Sequence, residues 1–250
     1  RLQKNVQMNN YSTMNIGGPA DALLFVYSAI EMEKYILKLW ELCIPFLIIG
    51  GGSNLLISDK GIRELVVINR AHNIHINTQV TPPTIWAESG ASLSQVARQA
   101  ALRGLSGLEW AASIPGTIGG AVYGNAGAFN KEIALNLTAA EVLQKSGGKT
   151  FWQKDSFQYS YRSSILKRKP QETVILTVTL ELTRDKPDKI KNEMEANHQR
   201  RLNTQPPGPS LGSIFRNPDG DKAGRLIEAC GLKGKRIGAA EISPLHANFI

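Results

Sequence analysis

The 250 residues are 42% hydrophobic and 20% charged, ordinary globular usage for one large domain or a few smaller ones. No apolar run approaches the roughly 18 residues that a membrane-spanning helix needs, and the opening RLQKNVQMNNYS has no apolar h-region, so neither a membrane partner nor a secretory signal is expected. A formal net charge of +8 points to anionic partners, either nucleic acid or a polyanionic small molecule; the cations are spread along the chain, and their one compact run, Lys167-Arg168-Lys169, reads as a solvated loop.

In chain order, residues 22–26 (ALLFV) read as a strand, and 29–43 as a helix with Ile30, Tyr35, Ile36, Leu39, Trp40 and Cys43 mostly on one face. Residues 46–49 read as a second strand, stopped by Gly50-Gly51-Gly52, and 65–68 as a third, so 1–68 is expected to form a small α/β unit. Residues 69–184 differ: short β-rich runs at 84–87, 140–143 and 173–182 surround a helix at 92–103 begun by a Ser cap. The stretch 104–128, rich in Gly and Ala, shows little periodicity. Residues 185–202 read as a linker and a polar helix that open a third domain, 185–250, with a further helix at 221–230. The chain starts without Met and stops inside the apolar run 246–250, read as mid-strand, so further residues are expected at both ends.

Four segments could carry chemistry. In Gly50-Gly51-Gly52-Ser53-Asn54, exposed amides and small side chains suit a diphosphate, or the segment is a plain turn. It is neither a G-x-G-x-x-G, since Leu55 takes the last position, nor a Walker loop; Gly147-Gly148-Lys149-Thr150 also fails as one, because Leu143 stands where its first Gly belongs. The run from Ala112 to Ala128 either admits a flat ring system or packs backbone tightly. Arg162 in Tyr159-Ser160-Tyr161-Arg162-Ser163-Ser164 either forks onto a carboxylate or is a surface residue. Ser213, in GSIFRNP, either donates a proton or makes a turn, and no nearby His would activate it as a nucleophile. His72 and His75 lack a third ligand, and no metal centre is expected. Cys43 and Cys230 stand outside any Cys or His cluster and read as buried thiols in a reducing cytoplasm.

Taken in order, NYSTMNIGGPAD (10–21), GGGSNLL, IPGTIGGA with NAGA, YRSS, GSIFRNP, AGRLIEACGLKG and HANFI resemble the UDP-N-acetylenolpyruvoylglucosamine reductase (MurB) family over nearly the whole chain. The ordered set is far more specific than any one of its members. The absence of a longer insertion in the last domain resembles the shorter, type II-like form. The resemblance implies an α+β fold with a two-domain FAD-binding unit of the vanillyl-alcohol-oxidase type, residues 1–68 and 69–184, and a third α/β domain covering the substrate. It implies noncovalent FAD, NADPH as hydride donor, a UDP-sugar enol ether as substrate, and a cytoplasmic role in peptidoglycan synthesis, cell division and cell shape. Gly50, Gly51, Gly52, Ser53 and Asn54 would hold the FAD diphosphate. Ile114, Pro115, Gly116, Thr117, Gly119, Gly120, Asn125, Ala126 and Gly127 would line the flavin, while Gly17 and Gly18 shape the first domain.

In the family reaction the flavin takes a hydride from NADPH and passes it to the enolpyruvyl substrate. Arg162 matches the position that stabilises charge developing on the carboxylate side, and Ser213 the proton donor; Tyr161, Arg200, Asn217 and Asn248 match positions near the substrate. Ser113 replaces a usual Gly and Gly124 a common Met, and the family's catalytic glutamate is expected beyond Ile250. Alternatives are a flavin oxidase or dehydrogenase of the same fold acting on another substrate, an inactive flavin-binding relative, or a basic nucleic-acid-binding protein. Residues 45–70 and 104–128 contain no His or Cys, which disfavours covalent flavin.

Overall fold

The computed structural model describes residues 2–170 and 172–250. The first unit is a four-stranded sheet built from β1 (Leu2–Gln7), β2 (Pro19–Val26), β3 (Phe46–Ile49) and β4 (Ile62–Asn69), in the order β1-β2-β4-β3. β1 runs antiparallel to β2, whereas β2 and β3 both lie parallel to β4, with Leu24 opposite Val67 and Ile48 also opposite Val67. Joining parallel strands requires a crossover, and α1 (Ala29–Glu41) supplies it. Ser28 caps it by accepting from the Glu31 amide. Strand alternation sorts β4 onto two faces: Val67 meets α1, while Val66 and Ile68 join Met8, Leu23 and Ile49 opposite. The buried side of α1 is Met32, Ile36 and Leu39; Ile30 and Cys43, expected on that face, are exposed.

The second unit is a five-stranded antiparallel sheet of β5 (Ile74–Asn77), β6 (Thr84–Glu88), β7 (Leu137–Gln144), β8 (Gly148–Gln153) and β9 (Thr173–Glu181), in the order β8-β7-β9-β6-β5. Gly147 and Gly148 therefore turn the β7–β8 hairpin. One face packs under α2 (Leu93–Ala101) and α3 (Ile118–Gly124), burying Val96, Ala100, Trp110, Val122, Val142 and Val178. From the other face Leu143, Val174 and Leu176 meet α1, so α1 packs between the two sheets. Glu88, at the end of β6, is buried; its carboxylate accepts from Ala29 N at 2.7 Å and Asn73 N at 2.9 Å, fastening the start of α1 to the second unit.

The remaining segment opens with α4 (Pro187–Thr204), with Pro187 at a position where a missing N–H costs nothing. It is polar and buries Ile190. Lys131 bridges Glu193 on α4 at 2.8 Å and the buried Glu109 at 3.6 Å. Burial works against the Lys131 charge, but the hydrogen bond to Glu193 and the field of Glu109 outweigh it and raise its pKa. A short helix, α5 (Ala223–Ala229), and a two-residue ladder of Arg236–Ile237 with Ala240–Glu241 follow.

Three expectations change. The thiols of Cys43 and Cys230 are exposed rather than buried. The run 246–250 is no strand: Phe249 N donates to His246 O at 3.0 Å, a tight turn. The Gly- and Ala-rich stretch contains α3, whose start is set by the Thr117 hydroxyl accepting from Gly120 N. No helix among the described residues is long and apolar enough to cross a membrane.

Candidate active site

The glycine turn after β3 and the connection entering α3 come face to face. Ser53 Oγ donates to Pro115 O at 3.3 Å. A Cβ on Gly50 would strike the Thr117 hydroxyl, one on Gly51 would lie 3.1 Å from Gly116 Cα, and one on Gly116 (φ +114°) 2.7 Å from Ser53 Oγ. Gly52 has φ +65°, and a Cβ there would run into the Tyr11 carbonyl. The backbones approach this closely because side chains are absent, so the two segments pack directly on each other with the Ser53 and Thr117 hydroxyls at the contact. Asn54, next in the chain, is exposed. Thr13 ties the turn to the last segment: its amide donates to Gly52 O at 3.2 Å and its hydroxyl to Ser210 O at 2.7 Å.

Not every glycine of the second stretch faces the first. Gly119 is buried, donates to Ser89 O at 2.8 Å, and leaves no room for a Cβ beside Ser89, so its role is close packing of α3 on the end of β6. Gly120 is exposed with space around it. Ile114 and Ala126 are half-buried against the core of the second unit.

At the other end of α3, Asn125 takes a left-handed conformation (φ 49°, ψ 58°) and is fully buried. Its Nδ2 donates to Ser160 O at 3.1 Å, while Oδ1 is buried without a partner among the described residues. Above it lies the YSYRSS segment, closed as a tight hairpin by reciprocal Ser160–Ser163 backbone bonds of 3.1 and 3.0 Å. Four of its contacts latch it to the carbonyls at and after the end of α3. Tyr159 Oη donates to Val122 O at 3.0 Å and Ser164 Oγ to Tyr123 O at 2.7 Å. Arg162 donates from Nη1 to Asn125 O at 3.5 Å and from Nη2 to Gly127 O at 2.6 Å. Burial, then the Glu132 charge, pushes the Tyr159 phenol well above its ordinary range, so it remains a donor. Arg162 also stands 5.1 Å from the centroid of the exposed Tyr161 ring.

The GSIFRNP loop reaches the hairpin through Arg216, whose Nη2 donates to Arg162 O at 3.2 Å. Ser213 is exposed on that loop. Asn248 is buried, with both ends of its amide on the same residue: Oδ1 accepts from Phe215 N at 2.9 Å and Nδ2 donates to Phe215 O at 2.8 Å. It thus clamps the loop that carries Ser213. Asn217 Oδ1 accepts from Ala223 N at 3.1 Å, satisfying the first amide of α5. Arg200 is exposed on α4, 5.6 Å from the centroid of Phe129 just beyond NAGA. Sequence reasoning passed over Thr13, Tyr159, Ser164 and Arg216; all four lie inside the motifs it singled out, but their partners are backbone carbonyls that no spacing reveals.

Residues 20–152 match the FAD binding domain family, and residues 203–250 match the C-terminal domain of UDP-N-acetylenolpyruvoylglucosamine reductase. A UDP-N-acetylenolpyruvoylglucosamine reductase of Chloroflexus aggregans is 37% identical over 254 residues, covering 100% of this chain and 85% of the relative. That of Bacillus subtilis is 39% identical over 251 residues, covering 100% and 82%. The chain belongs to the UDP-N-acetylenolpyruvoylglucosamine reductase family. The crystal structure of the MurB reductase from Thermus caldophilus matches with a TM-score of 0.85 at 34% identity, over 100% of this chain and 87% of that one. Cholesterol oxidase from Brevibacterium sterolicum matches at 14% identity with a TM-score of 0.54, over 74% of this chain and 37% of that one, a likeness of fold alone. The α+β FAD-binding architecture expected from the resemblance is therefore the one found, and this reductase is a flavin-dependent oxidoreductase.

Proposed function

We propose that the chain reduces the enol ether of a UDP-N-acetylglucosamine enolpyruvate to the corresponding lactyl ether, using noncovalent FAD and NADPH, in cytoplasmic synthesis of a peptidoglycan precursor on which cell division and shape depend. In this reading residues 1–68 and 69–184 hold the flavin and 185–250 cover the substrate. The observation that carries it is the latch of the Arg162 hairpin onto the end of α3, the helix whose other end faces the glycine turn. The residues fit a flavin. The bare backbone of Gly50–Gly52 and Gly116, free of side-chain bulk, suits a diphosphate, and the orphan Asn125 Oδ1 is an acceptor whose burial costs about 1–3 kcal/mol unless something donates to it.

FAD, when bound, supplies the hydride. An enol ether conjugated to a carboxylate accepts hydride at its terminal carbon only if charge developing on the carboxylate side is stabilised. Arg162 is held by two neutral carbonyls, which orient the guanidinium without neutralising it and leave further N–H donors for a planar carboxylate. The carbon next to the carboxylate then needs a proton, and Ser213 is the donor; a hydroxyl is a weak acid, adequate only toward so basic an acceptor. The clamp of Asn248 on Phe215 fixes the loop that presents it.

The test separates the half-reactions by stopped-flow absorbance. Flavin bleached by NADPH should be reoxidised by the enolpyruvyl UDP-sugar, with product formed in step. Reoxidation by oxygen alone, unaffected by that substrate, would overturn the reading. Acid precipitation should release the FAD into the supernatant; flavin left in the pellet would overturn the noncovalent assignment.

A further inference from the structure

Two cations meet at one oxygen beside the Arg162 hairpin. Lys167, from the single helical turn Ile165–Arg168 that follows the hairpin, places Nζ 3.4 Å from Arg162 O. Arg216, three residues beyond Ser213, places Nη2 3.2 Å from the same oxygen. A carbonyl bears only a partial charge and cannot offset two full ones. Among the described residues no carboxylate pairs with either side chain. Burial, then the Arg216 charge, lowers the pKa of Lys167, and no carboxylate counters them. Like charges gathered without a counterion cost stability, and the arrangement makes sense where an anion completes it.

We propose that Lys167 and Arg216 form a phosphate subsite, gripping a phosphate of a nucleotide ligand: the diphosphate of the UDP-sugar or a phosphate of the NADPH. The proposal rests on the functional reading above, because it is the hairpin's place in the substrate site that puts a nucleotide within reach. Its consequence is mechanical. Lys167 belongs to the segment of Arg162 and Arg216 to the loop of Ser213, so a phosphate bound by both draws the proton donor's loop onto the carboxylate-binding hairpin. Lysine supplies a point charge and arginine a fork, a pairing suited to the charged oxygens of a tetrahedral phosphate.

The experiment uses the FAD-loaded protein and its Lys167→Gln, Arg216→Gln and Arg216→Lys variants, with flavin content and circular dichroism as folding controls. Calorimetry measures binding of UDP against uridine, and of 2′,5′-ADP against adenosine. Each Gln variant should weaken the phosphorylated member of at least one pair by about tenfold, the scale of one charge-assisted hydrogen bond, and leave the nucleoside unchanged. Arg216→Lys should recover part of the loss. A fall for UDP assigns the subsite to the substrate, a fall for 2′,5′-ADP to the hydride donor, and a fall for both to a shared site. Wild-type protein that binds the phosphorylated probes, with Gln variants that bind them equally well, overturns the subsite while sparing the functional reading. If wild type binds neither, both fall together.

Discussion

Arg162 Nη2 donates to the carbonyl oxygen of Gly127 at 2.6 Å, so the cation expected to meet substrate is aimed by the backbone just past α3. A Cβ on Gly127 would lie 3.0 Å from Arg162 Nη1, which shows how little room the arrangement leaves. Position and charge are thus set by separate features, the carbonyls fixing the first and the guanidinium carrying the second.

Arg162→Lys keeps the charge and loses the fork. Flavin reduction by NADPH should stay within about twofold of wild type, while reoxidation by the enolpyruvyl substrate slows by roughly a hundredfold, as when an electrostatic stabiliser of the transition state is lost. Equal damage to both half-reactions, seen by stopped flow, would assign Arg162 to the fold instead.

The glycines separate into two kinds that substitution can distinguish. Gly52→Ala forces a Cβ into the Tyr11 carbonyl at φ +65°, and should lower both thermal stability and FAD retention. Gly120 has room for a methyl, and Ala is favoured there by about 0.5–1 kcal/mol within a helix. Gly120→Ala should therefore leave the flavin-free protein as stable or more so, yet weaken FAD binding if the cofactor lies against it. Unchanged FAD affinity in that variant would remove Gly120 from the flavin wall.

The strands missing from the sequence reading share one physical property. β1 (LQKNVQ), β5 (IHIN) and β8 (GKTFWQ) are all edge strands, with one side unpaired and side chains largely in solvent. Their ladder hydrogen bonds hold them to a neighbour without any hydrophobic alternation to announce it. The central strands, β4 and β9 above all, bury residues on both faces and show plainly as apolar runs. The site divides in the same way. Glycine turns and the Arg hairpin are legible because their residue types are unusual. The bond from Glu88 to Ala29 spans 59 positions, and Thr13 to Ser210 spans 197, so neither leaves a local trace. An Asn that clamps a backbone, as Asn248 does on Phe215, and an Asn that meets a ligand look identical in sequence.

His246 makes the Ser213 loop sensitive to acid. Its Nδ1 accepts from Asn248 N at 3.2 Å, which requires an unprotonated nitrogen, and burial lowers its pKa below the ordinary 6.5. The folded state therefore binds fewer protons here than the unfolded chain does. The stabilisation is fully present above pH 6.5 and is lost as pH falls through the lowered value. Urea midpoints followed from pH 7.5 down to pH 5 should drop more steeply for wild type than for His246→Gln. Parallel curves would show that this ring does not carry the dependence.

Ser213 is the sharpest case, because chemistry and turn-making predict opposite kinetics. It stands exposed on a loop fixed from behind by Asn248. If its hydroxyl protonates the carbon next to the carboxylate, Ser213→Ala should bind FAD and oxidise NADPH almost normally. Turnover of the enolpyruvyl substrate should fall by roughly two to four powers of ten, the usual worth of a positioned general acid. Ser213→Cys should recover part of this, since a thiol can release a proton from nearly the same place. A residue that merely follows the turn at Gly212 would cost about 0.5 kcal/mol or less on truncation and leave turnover intact, because surface substitutions away from caps and cores seldom do more. The comparison belongs in protein carrying the full length of its relatives, of which this chain spans 85% in the Chloroflexus aggregans case, so that every family residue is present. Near-normal reoxidation and product formation by the Ala variant in that protein would exclude Ser213 as the acid.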